Sequence, residues 1–212
     1  TYVPASKIAI TSPGAFHGAG KWTNREGDYD PEKIVQPIVY MPQELDSSSG
    51  GQLWVEKDER FGPLSGKYFH TSYGKASTMV VMLDDLGHTM QGAVFSLPLK
   101  MESGTLRVAK NPIDGQLYYS GLTGWQAGAT REGSIQRLRY TGDKGVYLAD
   151  AKARAGRLEL TFTEPINESA LDPSEWAASA WNYRWSKQYG SPHFKASCLL
   201  YTSPSPRDGL LS

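Results

Sequence analysis

Residues 62–142 read GPLSGKYFHTSYGKASTMVVMLDDLGHTMQGAVFSLPLKMESGTLRVAKNPIDGQLYYSGLTGWQAGATREGSIQRLRYTG. Alternating or apolar runs separated by glycine-centred turns fill this stretch, which predicts an antiparallel, all-β organisation. Residues 66–72 put Tyr68 and His70 on one face and Phe69 and Thr71 on the other. Residues 76–83 are apolar or β-branched almost without interruption until Asp84, Asp85 and Gly87. A strand buried on both faces has that composition. Residues 89–97 predict its hairpin partner across the D-D-L-G-H turn. Residues 104–109 and 115–120 predict two further strands, joined by N-P-I-D-G, in which Pro112 presets one turn dihedral and Asp114-Gly115 supplies the other. Residues 134–140 close the set, with Ile135, Arg137 and Arg139 alternating against Gln136, Leu138 and Tyr140.

On the N-terminal side the pattern is looser. Residues 6–11 predict a strand, after which Pro13-Gly14, Gly18-Ala19-Gly20 and Gly27 through Pro31 enforce loops. The Gly18-Ala19-Gly20 triplet lacks the strand-to-helix context and third glycine of a nucleotide-binding turn. Asp28 and Asp30, with Glu26 and Glu32 beside them, read either as a calcium loop or as a solvated acidic turn, and the EF-hand spacing is not met. Residues 34–40 predict a strand, 47–51 a turn and 52–56 another strand. On the C-terminal side, residues 143–149 leave the meander and 156–165 alternate as a half-buried strand. Asp172-Pro173-Ser174-Glu175 predicts one helical turn, with Asp as cap and Pro at the first helical position. Trp181-Asn182-Tyr183-Arg184-Trp185 reads as a carbohydrate platform or as aromatic packing at a domain junction.

The chain has 22 basic and 22 acidic residues, so it carries no net charge. That balance gives no electrostatic case for nucleic acid or an anionic membrane surface as partner. No run approaches the roughly 20 apolar residues of a membrane-spanning helix. Cys198 is the single cysteine. An internal disulfide, a cysteine zinc site and a C-x-x-C-H haem attachment are therefore all excluded. The first residue is Thr1, and no charged and apolar leader pattern follows it, so the sequence reads as starting within a longer protein.

The strings SSGGQLWV, GPLSGKYFHTSYGK, MQGAVFSLPL, NPIDGQLYYSGLTGWQ and QRLRYTG, within residues 40–194, resemble the final blades of large secreted bacterial propellers. That family is related to the soluble quinoprotein glucose and sorbosone dehydrogenases, in the version of planctomycetes and verrucomicrobia that often carries c-type haem domains. The resemblance implies an incomplete β-propeller with an irregular N-terminal segment over residues 1–142. The string LTFTEP, with LDPSEW after it, resembles the opening of bacterial immunoglobulin-like modules. It implies the first strands of an Ig-like β-sandwich over residues 143–197. CLLYTSPSPRD, at 198–208, resembles the in-frame translation of a transposon-end sequencing adapter. Residues 198–212 are accordingly expected to be non-native, extended and without a role, which makes Leu199, Leu200, Leu210 and Leu211 poor packers.

For function, the resemblance implies a fragment of a secreted or periplasmic quinoprotein-like sugar or alcohol dehydrogenase. In the parent protein, pyrroloquinoline quinone and calcium would be the cofactors. The missing blades and a haem c domain would be the partners, and the fragment alone would be inactive. The alternative is a non-catalytic propeller scaffold that binds polysaccharide or a partner protein. The family's histidine base comes from an early blade, and no residue here matches it.

From the residues themselves, His70, Ser72, Tyr73 and Lys75 in HTSYGK sit where a strand leaves its sheet, a place where propellers bind ligands. His70 reads as a general base or as a structural histidine. Trp125, Gln126, Arg131 and Arg137 supply flat and guanidinium groups of the kind that a quinone carboxylate would need. A structural stack of Trp on Arg is the other reading. No residue is assigned to a metal.

Overall fold

The computed structural model describes residues 5–18, 34–183 and 192–198. The acidic residues Glu26, Asp28, Asp30 and Glu32, and residues 199–212 of the tail, lie outside them. Among the described residues the chain is all-β, built from several small antiparallel sheets, none closed, with no α-helix.

Strand β1 (Ser6–Ile8) pairs with β2 (Val39–Met41). Strands β3 (Ser49–Val55), β4 (Lys67–Ser72), β5 (Ser77–Asp85) and β6 (Met90–Ser96) form a four-stranded meander. Strands β7 (Gly104–Lys110), β8 (Leu117–Leu122) and β9 (Gly133–Leu138) form a three-stranded one. Two hairpin-like sheets follow, β10 (Leu148–Arg154) with β11 (Arg157–Phe162) and β12 (Ser179–Asn182) with β13 (Phe194–Cys198).

The register of the central meander explains how the layers stack. Leu53, Phe69, Val80 and Phe95 stand opposite one another across its four strands. They pack with Leu117, Tyr119 and Val108 of the three-stranded sheet into the larger core. One residue along, the opposite face carries the rows Gln52–His70–Met79–Ser96 and Trp54–Tyr68–Val81–Val94. Met79 and Val81 there join Ile8, Ile38 and Met41 in a second core beneath β1 and β2. Strand β5 is thus covered on both sides, and Met79, Val80, Val81 and Met82 are all buried. Each such side chain stabilises the stack by about 1.5–3 kcal/mol relative to exposure.

The all-β reading and the predicted meander from 66 to 138 hold, with small shifts at the ends. Residues 84 and 85, read as a turn, continue β5. Residues 49–51, also read as a turn, open β3, and of 34–40 only Val39 and Tyr40 lie in β2. Strand β10 falls partly where the chain was expected to leave the meander. It lies against β5 and β6, and Arg154 clamps Asp84 of β5, its Nη2 donating to Oδ1 at 3.0 Å. The predicted helical turn is a 3-10 turn at Pro173–Glu175, with the Asp172 side chain accepting from the Ser174 N–H at 2.9 Å. Trp181 lies in β12, which pairs with a strand ending at Cys198. The first residue of the supposedly roleless tail therefore stands opposite Ser179 in a ladder.

Candidate functional site

The predicted site residues fall at one end of the central meander and along the three-stranded sheet. His70 is near the end of β4, on the face turned toward β1 and β2, and only 1% of it is exposed. Its partner is Asp46, fully buried in the loop that leads into β3, with His70 Nε2 at 3.2 Å from Asp46 Oδ2. Ser49 donates to the same oxygen at 2.6 Å. Burial pushes the Asp46 carboxyl up, but hydrogen bonds from His70, Ser49 and Ser72, with the His70 charge, outweigh it and hold the group below the usual carboxylate range. An ionised Asp46 is an acceptor, so the proton it shares sits on His70 Nε2. That leaves His70 Nδ1 and Asp46 Oδ1 buried with no hydrogen-bond partner among the described residues.

Close backbone approach builds this pocket. A Cβ on Gly50 would stand 2.3 Å from Thr71 Oγ1 and 2.4 Å from the Thr105 carbonyl, so only glycine lets β3 pass between β4 and β7. Thr71 Oγ1 accepts from Gly51 N–H at 2.7 Å. The Asp46 loop is drawn tightly over His70 as a result, and Ser72 Oγ donates to the Ser47 carbonyl at 3.4 Å.

Tyr73 links the two predicted clusters. Its hydroxyl donates to the Trp125 carbonyl at 2.7 Å and accepts from the N–H groups of Gly124 and Trp125 at 3.0 and 2.8 Å. Lys75 lies in the same turn, its N–H donating to Ser72 Oγ at 3.3 Å. The Trp125 ring itself is 75% exposed, and Gln126 is exposed beside it. Arg131 pairs loosely with Glu102, Nε to Oε2 at 3.6 Å. Arg137 sits toward the other end of β9, 3.9 Å from Asp114. Arg131 and Arg137 therefore do not converge, and the two-arginine clamp expected for a quinone carboxylate is not formed. Among the described residues no three His, Cys, Asp or Glu side chains gather to hold a metal ion. The described residues do not fit the quinone and calcium pair.

Asp46 is the residue that sequence reasoning missed. The signal was indirect: it heads Asp-Ser-Ser-Ser-Gly-Gly, and the strand that follows pairs Gln52 with His70. Away from this end, open grooves line the surface of the described residues. One of about 560 Å³ runs along Val146, Ile166 and Trp176, and one of about 680 Å³ along Asp58, Pro63 and Tyr140. Another, of about 630 Å³, is lined by Tyr40, Trp181 and Tyr183. No family model, no curated protein and no solved structure matches the chain.

Proposed function

We propose that this chain is part of a non-catalytic β-scaffold that binds polysaccharide or a partner protein through exposed aromatic groups. The burial of His70 carries this reading. A general base must come within hydrogen-bond reach of the proton it removes. His70 is covered on both faces of its sheet region, its Nε2 is occupied by Asp46, and Nδ1 is sealed from solvent. What the chain does present is aromatic: Trp125, and the Trp54–Tyr68 pair with ring centroids 4.9 Å apart on an open part of the β3–β4 face.

The second reading is the fragment of a secreted or periplasmic, propeller-type quinoprotein dehydrogenase, passing electrons to a haem c domain of the same parent and completed by its missing blades. It is favoured by the Asp46–His70 pair, since a carboxylate behind an imidazole is how a base is oriented. An Ig-like module after the propeller blades would, on this reading, extend the parent architecture.

The full-length chain is to be incubated with pyrroloquinoline quinone, calcium, aldose and alcohol substrates and a redox dye, alongside affinity gels containing soluble polysaccharides. The scaffold reading expects retardation in at least one gel, or capture of a partner, and no quinone-dependent dye reduction. Dye reduction that His70→Gln abolishes would establish the dehydrogenase reading instead.

A further inference from the structure

The segment Pro165-Ile166-Asn167-Glu168-Ser169 contains the acceptor triplet of N-linked glycosylation, an asparagine with serine two residues on and no proline between them. No other asparagine of the sequence meets that rule. Asn24 and Asn182 have Glu26 and Arg184 at the hydroxyl position, and Asn111 is followed by Pro112. Such a triplet serves as a site only where the fold presents it, as a surface loop does.

Asn167 stands in the connection after β11, immediately before the 3-10 turn Glu168–Leu171. Its backbone is extended, with φ −66° and ψ 148°, and its side chain does not cap that turn. Asn167, Glu168 and Ser169 are all exposed. The turn is closed by short-range bonds, the Ala170 N–H to the Asn167 carbonyl at 2.9 Å and the Asp172 N–H to the Ser169 carbonyl at 3.3 Å. Among the described residues no strand pairs with this stretch, so it opens locally at little cost. Beside it runs the groove of about 560 Å³, bordered by Asn167 itself with Val146, Ile166 and Trp176. Trp176 Nε1 donates to the Ala170 carbonyl at 2.6 Å, which holds the indole as one wall of that space. A sugar joined to Asn167 therefore has room to lie down, with a ring face toward its C–H groups.

We propose that Asn167 is an acceptor for an N-linked glycan. The donor class is an oligosaccharide joined through its reducing-end C1 to a lipid pyrophosphate, brought by a transferase. Asn167 Nδ2 attacks that carbon, and the C1–O bond to the pyrophosphate breaks. The lipid pyrophosphate leaves with the bonding pair, and one amide proton passes to a base of the transferase. No oxidant or reductant enters the balance. The Ser169 hydroxyl is the second group that such a transferase reads. The inference is independent of both readings of the chain's binding or redox activity.

The test incubates the full chain, without denaturant, with a single-subunit oligosaccharyltransferase and a lipid-pyrophosphate-linked oligosaccharide, and reads intact mass and the modified peptide. A synthetic peptide of residues 163–172 is the comparison acceptor. One glycan per chain is expected, at Asn167, formed within about tenfold of the peptide's rate because the local turn opens easily. An amidase that releases N-linked glycans should remove it and leave aspartate at that position. Asn167→Gln and Ser169→Ala should each abolish the modification, and Ser169→Thr should retain it. All three positions are at the surface, so the thermal midpoints should match the wild type. A wild type left unmodified by a transferase that modifies the peptide would overturn the inference, as would a glycan that persists in Asn167→Gln or in Ser169→Ala. Neither result bears on the gel-retardation and dye-reduction outcomes that separate the scaffold from the dehydrogenase.

Discussion

A carboxylate and an imidazole sealed between sheets stand or fall together, because deleting either leaves polar atoms of the other without a partner. Asp46→Ala and His70→Ala should each destabilise the chain by about 3 kcal/mol. The double variant should lose less than the sum, with a coupling of about 1–2 kcal/mol in urea unfolding. The pH dependence has a definite sign. The folded-state pKa of Asp46 is depressed, so its contribution is complete above the ordinary carboxylate value near 3.9 and is lost as pH falls through the folded value. Unfolding free energies measured from pH 6 down to pH 3 should therefore fall more steeply for the wild type than for Asp46→Ala. A neighbouring residue tests the close approach that holds the pair: Gly50→Ala would drive a methyl group into the Thr105 carbonyl, and about 2–3 kcal/mol should be lost. An unchanged midpoint would mean that β3 does not pass there.

At the scale of elements, one link ties the β10–β11 sheet to the central meander. Arg154 donates through both terminal nitrogens to Asp84, while Gln91 bridges Asp84 and the Ala153 carbonyl. Hydrogen bonds from Arg154 and then Gln91 hold the Asp84 carboxyl at about 2. The stabilisation from that link is therefore present above about pH 4 and fades as pH falls toward 2. Arg154→Gln should accelerate amide exchange across β10 and β11 and leave β4 and β5 protected; uniform acceleration would show that the link is part of the main core.

How far these elements could be read from sequence follows from their composition. Strand β5 was legible because both of its faces are apolar, and its turn residues on either side are polar or glycine. Strand β10, LADAKAR, was not, since alanine with lysine and arginine carries no β-branched signal and the strand is held by Arg154 and backbone pairing. Gly50 and Gly51 read as turn residues, yet they are glycine because other backbones pass beside them. In the candidate site, His70 and the Tyr73 turn were visible one by one. Asp46, 24 residues before His70, comes to it only through the pairing of β3 with β4, which no local pattern encodes.

For the molecule as a whole, the layers end abruptly. The outer face of the three-stranded sheet carries Arg107, Ser120, Leu122, Ile135 and Arg137, with Ile135 81% and Leu122 47% exposed, and among the described residues β9 pairs on one side only. Open strand edges beside exposed aliphatic groups favour intermolecular pairing. The chain on its own should therefore associate at tens of micromolar, as seen in light scattering. Ile135→Lys with Leu122→Lys should suppress that association without lowering the thermal midpoint, because neither side chain is in a core. A wild type that remains monomeric and melts in one sharp transition would count against this account.

The Tyr73 hydroxyl, tied to the backbone of Gly124 and Trp125 by three hydrogen bonds, has an optical consequence. Trp125 holds a largely water-exposed indole on a main chain pinned to a sheet end, so its emission should be as red as that of free tryptophan while depolarising more slowly than a loop residue would. In a variant that keeps Trp125 as its single tryptophan, Tyr73→Phe should leave the emission colour unchanged and lower the anisotropy. The indole thereby becomes a built-in gauge of whether the β4–β5 turn and the loop after β8 are still joined.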